Sequence, residues 1–555
     1  MRIPIDRGRP YPLYRQVQSF LREAILTGAL PAQMRLPASR ELAAALGVSR
    51  ITITNAYAEL EAEGLTFTRP GSGTYVGPPL WRPPLWGEVA ADVSSLWPAW
   101  QKSAPMASAL PSQTSLDQVA GSVSRSNIIS FADGLGAFEL FPREELRKAF
   151  QAAMHGQESS VWGYGDRSGF PPLRTTIARI LSRQGIPTNP DSVLITSGSQ
   201  QALALVARLL LQPGQAVAVE SPTYVGALAL FRSLGVDLVG IPMDEEGMQV
   251  DKLEEALRAR HVGLIYTIPS FHNPSGVSMS DARRRALVDL AGRLNVPVVE
   301  DDYVGDLRYE GPARPALKAL DRGGWVIYLG TFSKILMPGL RVGYLVATGP
   351  IFEKLLSWKW VNDLTTCTIV QRALHGYINV GRYQAHLRRI VREYRRRRDA
   401  MLAAVSDELR PWAEWRKPEG GLFLWIALRA DTRADRLYAI SQEEGVTYVP
   451  GELFFPDPPS AVYLRLNFAT HAPEIIQAGI SRLAKAVGRC DASAGPRKSL
   501  HGNGRGQDGP GAGEAGGAAR GTCLNGEAEP GAGDCVSHVL PEAWGMVRET
   551  CEPVI

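Results

Sequence analysis

The sequence has few cysteines and no long apolar segment. Only 5 of its 555 residues are cysteine and none forms a Cys-x-x-Cys pair, which excludes a disulfide scaffold and argues against a zinc site, so no metal ligand is assigned. The longest apolar stretch, residues 202–211, is interrupted by Arg208, whereas a membrane helix needs roughly 20 apolar residues. The N-terminal residues carry several arginines and no apolar run, so a secretory signal is not predicted. We expect a soluble protein of the cytoplasm.

The chain also has little excess charge, and its composition is uneven. Its 60 basic residues against 56 acidic ones leave a net charge of +4, so nucleic-acid binding would need a local basic patch. Composition divides the chain into a compact block (1–77), a linker rich in Pro, Ser and Trp (78–126), an α/β domain (127–489) and a Gly-rich tail (490–555). The tail is predicted to be disordered, with a small docking element at 536–547 as the alternative.

The N-terminal block has the pattern of a helix-turn-helix. Apolar residues at helical spacing predict a first helix over 13–26, a second over about 40–46 with Ser39 as its N-cap, and a third over about 50–63 capped by Ser49. A glycine separates the second helix from the third, which is the spacing of a helix-turn-helix.

The third helix and the segment after it carry the candidate DNA contacts. Residues 65–69 and 74–76 alternate around a Gly-rich turn, which predicts a β-hairpin in the position of a wing. Arginine and asparagine at the start of a recognition helix can bond to base edges, and a wing arginine can reach phosphate. We assign DNA contact to Ser39, Arg40, Arg50, Thr52, Asn55 and Arg69. A small protein-binding domain is the alternative, but segments 36–50 and 71–76 closely resemble the winged helix-turn-helix of GntR-type regulators, which implies a double-stranded operator as partner.

The α/β domain contains a lysine placed for Schiff-base chemistry. The apolar run 326–330 predicts a strand, and Lys334 follows it with Ser333 beside it and Arg341 seven residues later. A hydroxyl and a guanidinium next to an amine are the groups needed to hold a phosphate beside a Schiff base. A lone lysine after a strand is otherwise an ordinary surface residue.

Other candidate site residues follow neighbouring predicted strands. The apolar run 296–299 ends in Glu300, Asp301 and Asp302, and a carboxylate at that edge of a sheet can keep a pyridine nitrogen protonated. We assign this role to Asp301; the alternative for an acidic strand end is a helix N-cap. The turn 197–200 precedes a helix whose N-terminus can bind phosphate. The remaining candidates are an aromatic ring able to stack on a planar ligand, an amide donor and a late-strand arginine suited to a carboxylate: Tyr224, Asn273 and Arg465.

Along the chain these pieces follow the order phosphate turn, Tyr224, Asn273, Asp301, Lys334 with Arg341, and Arg465. In that order they resemble the fold-type I aminotransferases of class I and II, whose cofactor is pyridoxal 5′-phosphate. The resemblance implies that Lys334 forms the internal aldimine, Asp301 pairs with the pyridine nitrogen and Arg465 takes a substrate carboxylate. Asn273 and Tyr303 would bond to the ring O3′, although Tyr303 stands two residues after Asp301 where typical family enzymes have three. The resemblance also implies that Tyr224 stacks on the ring and that the phosphate is held by Ser199, Gln200, Ser333 and Arg341. Tyr164 would reach the phosphate of a partner subunit, which implies a homodimer.

The two domains together are similar to the MocR-type subfamily of GntR regulators. The expected fold class is α/β, with an N-terminal winged helix-turn-helix and a large domain whose mostly parallel central sheet has helices on both faces. The resemblance implies a DNA-binding transcriptional regulator whose large domain senses pyridoxal phosphate, or an amine or amino-acid effector held as an aldimine. The alternatives are a working aminotransferase with an accessory DNA-binding domain, and a cofactor-binding module without aldimine chemistry.

Overall fold

The computed structural model describes residues 3–6, 12–77, 127–155, 159–429 and 433–492. The predicted linker lies outside the described residues, as does the predicted tail from residue 493 onwards. No helix within the described ranges is long and apolar enough to cross a lipid bilayer. The same ranges contain no group of three or more side chains placed to ligate a metal ion.

Three helices and a hairpin form the N-terminal domain. The elements are α1 (Leu13–Leu26), α2 (Ser39–Leu46), α3 (Arg50–Ala62), β1 (Thr66–Arg69) and β2 (Gly73–Val76), and the two strands pair antiparallel. Apolar side chains at the helical period bury one face of each helix in a common core, whose members include Val17, Leu21, Leu42, Ile53 and Leu60. The predicted order of three helices and a wing is confirmed.

The start of α2 differs from the prediction. Ala38, not Ser39, occupies the N-cap position, and no side chain caps this helix. Ser39 is the first helical residue, and its hydroxyl accepts a hydrogen bond from Arg50 Nε at 3.4 Å. Ser49 does cap α3, because its hydroxyl accepts from the Thr52 amide at 3.3 Å. Ser39 therefore links the two helices of the motif rather than capping one.

An eight-stranded sheet forms the centre of the large domain. After the short β3 (Ile129–Ser130), its strands are β4 (Val193–Thr196), β5 (Ala216–Ser221), β6 (Asp237–Asp244), β7 (Gly247–Met248), β8 (Val262–Thr267), β9 (Val298–Asp302), β10 (Val326–Thr331) and β11 (Gly343–Val346). Their spatial order is β4-β11-β10-β9-β8-β5-β6-β7, with antiparallel pairing only at β11 and β7. The mostly parallel sheet is as predicted.

Helices cover both faces of this sheet. Alternate residues of β5 enter two separate apolar clusters, Val217 and Val219 in one and Ala216 and Ala218 in the other, because successive side chains of a strand point to opposite faces. The helices are α4 (Arg143–Met154), α5 (Ser159–Trp162), α6 (Pro171–Arg183), α7 (Ser199–Leu210), α8 (Val225–Ser233), α9 (Val250–Ala259), α10 (Asp281–Leu294), α11 (Leu317–Leu320), α12 (Pro350–Asp363), α13 (Thr368–Asn379), α14 (Arg382–Glu408), α15 (Ala434–Glu443) and α16 (Pro473–Ala492).

A second, antiparallel sheet follows the long helix α14. The remaining strands are β12 (Ala413–Trp415), β13 (Phe423–Leu428), β14 (Val446–Thr447), β15 (Val449–Pro450) and β16 (Tyr463–Asn467). Four of them form the sheet in the order β12-β13-β16-β15, while β14 pairs with β3. The predicted late strand with Arg465 is β16, and it lies inside this small sheet.

The last helix continues three residues beyond the predicted domain end at residue 489. Cys490 is buried, and Asp491 accepts a hydrogen bond from Trp412 Nε1 at 3.2 Å. With these contacts the helix extends as far as Ala492. Cys490, which composition placed in the tail, therefore belongs to the packed domain.

Candidate cofactor site and DNA-binding surface

Three consecutive acids end β9, and the fold gives each a different role. Glu300 accepts from the amides of Leu317 and Lys318 at 2.9 and 2.8 Å, so it caps α11. Asp302 accepts from the Tyr328 hydroxyl at 2.6 Å and from the Gly305 amide at 2.7 Å. The helix-cap alternative is therefore correct for Glu300, and Asp301 between them is left for another partner.

Asp301 is half-satisfied in a buried position. The Tyr266 hydroxyl donates to its Oδ2 at 2.8 Å, whereas no donor in the described part of the chain bonds to its buried Oδ1. Burial raises the pKa of Asp301 to about 6. A buried acceptor without a donor costs about 1–3 kcal/mol. A protonated pyridine nitrogen would supply the missing donor and favour the ionised carboxylate, so the residue fits the cofactor that the sequence predicts.

Lys334 lies in the loop after β10, with its amine near this carboxylate. Burial, and then the positive charges of Arg465 and Arg341, lower the pKa of Lys334 to about 8, and Asp301 partly opposes them. A Cβ atom at Gly134 would lie 3.7 Å from Lys334 Nζ, so the main chain just after β3 lies close to the amine. At pH 7 about a tenth of the amine is therefore in the neutral, nucleophilic form, far more than in an ordinary lysine.

The predicted phosphate turn joins β4 to α7. Gly198 has φ +92°, a conformation that strains any residue with a Cβ atom, and such an atom would lie 2.7 Å from Arg341 Nη2. Arg341 Nη2 also donates to the Ser197 carbonyl at 3.0 Å. Ser199 and Gln200 open α7, where unpaired amides and the helix dipole favour an anion. The guanidinium and the helix N-terminus therefore meet at one turn.

The side chains of two predicted phosphate residues, Gln200 and Ser333, already make hydrogen bonds within the chain. The Gln200 amide donates to the Gly226 carbonyl at 3.2 Å, so its side chain is already engaged. The Ser333 hydroxyl accepts from the Thr331 hydroxyl at 3.1 Å and keeps its own proton available for a ligand.

Arg465 and Asn273 are joined in the buried site. Arg465 Nη1 donates to Asn273 Oδ1 at 3.3 Å, Nη2 donates to the Ala132 carbonyl at 2.8 Å, and the guanidinium lies 4.1 Å from the Phe423 ring centroid. Its buried Nε has no acceptor among the described residues. Burial lowers the pKa of Arg465 to about 10, still well above neutrality. It thus remains a cation with a free donor, as a carboxylate ligand requires.

The predicted tyrosines have three different environments. Tyr303 is buried, and its hydroxyl donates to the Phe271 carbonyl at 2.9 Å, leaving its oxygen as an acceptor only. Tyr224 is the residue before α8, and burial raises its pKa, so the phenol stays neutral. Tyr164 is 84% exposed and makes no hydrogen bond to the others. The structure therefore brings together all the predicted cofactor residues of this chain except Tyr164.

Sequence reasoning missed three residues of the site. Tyr266 orients Asp301 from the neighbouring strand β8. Gln201 accepts from the Ser197 amide at 2.7 Å and donates to Asp363 Oδ2 at 2.9 Å, so it ties the phosphate turn to α12. Asp133 is a half-buried carboxylate beside the Ala132 carbonyl that Arg465 binds. Gln201 directly follows the predicted phosphate turn, whereas Tyr266 and Asp133 were assigned to no motif. Only the packing of separate strands and helices reveals the roles of the three.

The other candidate surface lies on the N-terminal domain. Arg40, Arg50 and Asn55 are exposed, whereas the Thr52 hydroxyl is engaged with that of Ser49 at 2.8 Å. Ile51, not predicted from sequence, is 68% exposed at the start of the same helix. A recognition helix uses this end against base edges, where an apolar side chain can contact a thymine methyl group.

The wing presents a preorganised arginine. The Arg69 guanidinium lies 5.4 Å from the Phe67 ring centroid and 5.2 Å from the Tyr75 ring centroid. The two rings stack across the hairpin, with their centroids 5.7 Å apart. This packing holds an exposed cation at the wing.

Fold and sites together define a winged helix-turn-helix joined to a domain of the pyridoxal-phosphate-dependent type. Residues 128–483 match the aminotransferase class I and II family, and residues 13–76 match the bacterial regulatory proteins of the gntR family. The chain thus belongs to the aminotransferase class I and II family and carries a GntR-type DNA-binding domain, the architecture of MocR-type regulators. The cofactor of the large domain is pyridoxal 5′-phosphate.

Relatives of two kinds are similar to this chain. The aromatic-amino-acid aminotransferase 1 of Thermococcus litoralis is 40% identical over 371 residues, which cover 66% of this chain and 89% of that protein. The probable rhizopine catabolism regulatory protein MocR of Rhizobium meliloti is 31% identical over 492 residues, covering 87% and 95%. A crystal structure of the α-aminoadipate aminotransferase LysN of Thermus thermophilus, complexed with N-(5′-phosphopyridoxyl)-L-leucine, has a TM-score of 0.67 at 34% identity and covers 71% of this chain and all of that one.

Proposed function

We propose that this protein is a transcriptional regulator whose operator affinity changes when an amine or amino-acid effector binds at Lys334. One observation carries the proposal: a single chain holds an exposed helix-turn-helix face and, in its large domain, a partly buried lysine near a half-satisfied aspartate. A catalyst needs only the second of these, whereas an effector-responsive regulator needs both. Its place of action would be the cytoplasm.

The residues of the site would divide the work of holding the cofactor. Lys334 would bind it covalently, Asp301 would accept the ring N–H, and Asn273 and Tyr303 would lie at the ring oxygen. Stacking would fall to Tyr224, and the phosphate would be held by Ser199, Gln200, Ser333 and Arg341. When bound, pyridoxal phosphate supplies an aldehyde that condenses with amines and a ring that withdraws electrons.

The class of effector follows from Arg465. Its free Nε and its buried guanidinium favour a ligand with a carboxylate, since a buried cation gains most from an anionic partner. The lowered pKa of Lys334 favours exchange with another amine. An amino acid carries both groups.

The functional unit would be a homodimer. Val361 and Leu364 at the end of α12 are 72% and 43% exposed, and Arg167 places the loop of Tyr164 beside this helix, 5.6 Å from the Trp360 ring centroid. Monomers rarely expose contiguous apolar patches of this kind. A partner subunit on the patch would bring each Tyr164 to the phosphate site of the other chain.

DNA contact would follow the exposed face of the N-terminal domain. Arg50, Asn55 and Thr52 would meet base edges, with Ser39 and Arg40 beside them, and Arg69 would take phosphate. Two such domains on one dimer would bind two half-sites.

The test is a selection of DNA fragments by the purified full-length protein, with and without pyridoxal phosphate and a panel of L-amino acids. We expect one set of fragments to be retained, with an affinity that responds to an amino acid in wild type. Lys334→Ala should retain the DNA but lose the response. DNA binding that never depends on the ligands, or no binding at all, would contradict the proposal.

A working aminotransferase is the second candidate. The 40% identity to an enzyme and the intact Lys334 and Asp301 favour it. Steady-state turnover of an amino donor with a 2-oxo acid would support it, particularly if Arg50→Ala leaves that turnover unchanged. A single half-reaction without turnover would leave regulation as the function.

A further inference from the structure

The solvent face of α14 carries arginines that the large domain does not use. Arg388, Arg392 and Arg395 are exposed and have no ion-pair or hydrogen-bond partner within the described residues. Their spacing of four and three residues places them in one row, opposite the side of the helix that holds the buried Ile390 and Tyr394. The row spans about 10 Å at 1.5 Å per residue.

Three other arginines of the same helix are paired with carboxylates. Arg397 and Arg398 are buried and pair with Glu139 and Glu310 at 2.7 and 2.8 Å. Arg396 pairs with Glu393 at 2.9 Å. Arg397 and Arg398 therefore belong to the packing of the domain, and Arg396 is paired at its surface.

The row lacks acids of its own. Asp399, the next residue along this face, is already paired with Arg398 at 2.6 Å. Like charges at these spacings destabilise a helix, so the row adds nothing to folding. An external polyanion would relieve the repulsion.

We infer that Arg388, Arg392 and Arg395 form a second DNA contact, on the large domain, that binds the phosphate backbone of duplex flanking the operator. One strand of duplex carries a phosphate about every 3.4 Å along the axis, so a row of this length can meet about three phosphates. Contacts of this kind carry no sequence information and add affinity and orientation. The inference rests on the proposed function, since it needs a chain that binds DNA.

The experiment measures the salt dependence of binding to a mixed-sequence duplex of about 60 base pairs, by fluorescence anisotropy of the full-length protein with cofactor. The variant is R388Q/R392Q/R395Q, in which glutamine preserves helix propensity. Loss of three phosphate contacts should lower the slope of log K against log salt by about 2–3 and weaken binding at about 0.1 M salt at least tenfold.

A matched control separates a local contact from general charge. R183Q/R208Q/R285Q removes three exposed arginines that lie on three different helices and likewise make no bond within the described residues. It changes the net charge equally and should keep the wild-type slope. Unchanged cofactor absorption and dimer mass would show that both variants are folded.

Each outcome decides the matter. A salt slope for R388Q/R392Q/R395Q equal to that of wild type would overturn the inference, and would favour an acidic protein as the partner of the row. An equal loss in the control variant would also overturn it, because net charge alone would then explain the effect. A wild-type protein that binds no DNA would instead defeat the proposed function.

Discussion

At the scale of single residues, burial sets the reactivity of Lys334. Its pKa is lowered to about 8, first by burial and then by Arg465 and Arg341. Only the neutral amine attacks an aldehyde, so the rate at which apoprotein takes up pyridoxal phosphate should rise with pH and level off above about 8, where an ordinary lysine would level off only above about 10.4. Stopped-flow absorbance over this range measures it. Arg465→Gln should move the midpoint upward, and a rate still rising at pH ~10 would contradict the assignment.

The hydroxyl of Tyr266 should control the ionisation of Asp301. It lowers the pKa of a carboxyl that burial has raised to about 6. The ionised carboxylate is the form that binds a ring N–H, so cofactor affinity should fall as pH drops through about 6 in wild type. In Tyr266→Phe this loss should occur at higher pH, with affinity at neutral pH roughly tenfold to hundredfold lower, since a bond to a charged group contributes ~1.5–3 kcal/mol.

A matched tyrosine controls that experiment. Tyr309 is equally enclosed, but its hydroxyl bonds to the Gly421 carbonyl, away from Asp301. Tyr309→Phe should lower stability, because it loses the bond to Gly421, but should leave the pH dependence of cofactor affinity at its wild-type position. A shift in both variants would mean that packing, and not the bond to Asp301, sets the titration.

The residue scale also shows what a sequence can and cannot predict. The three acids at the end of β9 look alike in sequence, and only the approach of α11 to Glu300 and of Tyr328 to Asp302 distinguishes Asp301. The resemblance to a family predicts a role for Asp301, and the packing around its two neighbours is consistent with that prediction. Motif order could not reveal Tyr266, because the neighbour relation of β8 and β9 arises from the sheet.

At the scale of elements, helix periodicity and glycine positions predicted the N-terminal domain well. Apolar spacing gave α1 with the bounds that the structure has, and the hairpin followed from its Gly-rich turn. The antiparallel β11 within a parallel sheet could not be predicted. Its position between β10 and β4 depends on the close approach of Gly343 to the Gly198 turn, where a Cβ atom would lie 2.5 Å from main-chain carbon.

The recognition helix and the wing should contribute differently to binding. Arg50→Ala should weaken operator binding by ~1–3 kcal/mol and relax specificity at one base pair, because the proposed complex places this helix end against base edges. Arg69→Ala should weaken all sequences alike and reduce the salt slope by about one. Anisotropy titrations with an operator and a scrambled duplex measure both. Unchanged affinity in both variants would show that this domain does not bind DNA.

At the scale of the whole molecule, α12 connects the proposed dimer surface to the phosphate turn. Its last residue, Asp363, bonds to Gln201 at 2.9 Å, and Val361 on the same helix is exposed. Val361→Glu should therefore weaken the dimer and lower cofactor affinity together. Tyr164→Phe should lower cofactor affinity alone. Light scattering and cofactor titration measure both, and a monomer that binds cofactor normally would contradict the shared site.

The last prediction concerns the Gly-rich tail, which composition marks as too poor in apolar residues to fold alone. The end of α16 gives the place to cut, because Arg489 pairs with Glu443 at 2.9 Å and Asp491 bonds to Trp412. Truncation after Ala494 should leave cofactor binding, dimer mass and operator affinity as in the full chain.

A shorter protein ending at Gly488 is the control for this truncation. It also loses the buried Cys490 and the Asp491 bond, so it should unfold at lower temperature, with a loss of about 1–3 kcal/mol. Differential scanning calorimetry and anisotropy compare the two. Removal of a disordered segment that makes no contacts should leave the folded dimer unchanged. If the cut after Ala494 instead abolishes dimerisation or DNA binding, residues 536–547 are a docking element and the prediction from composition is wrong.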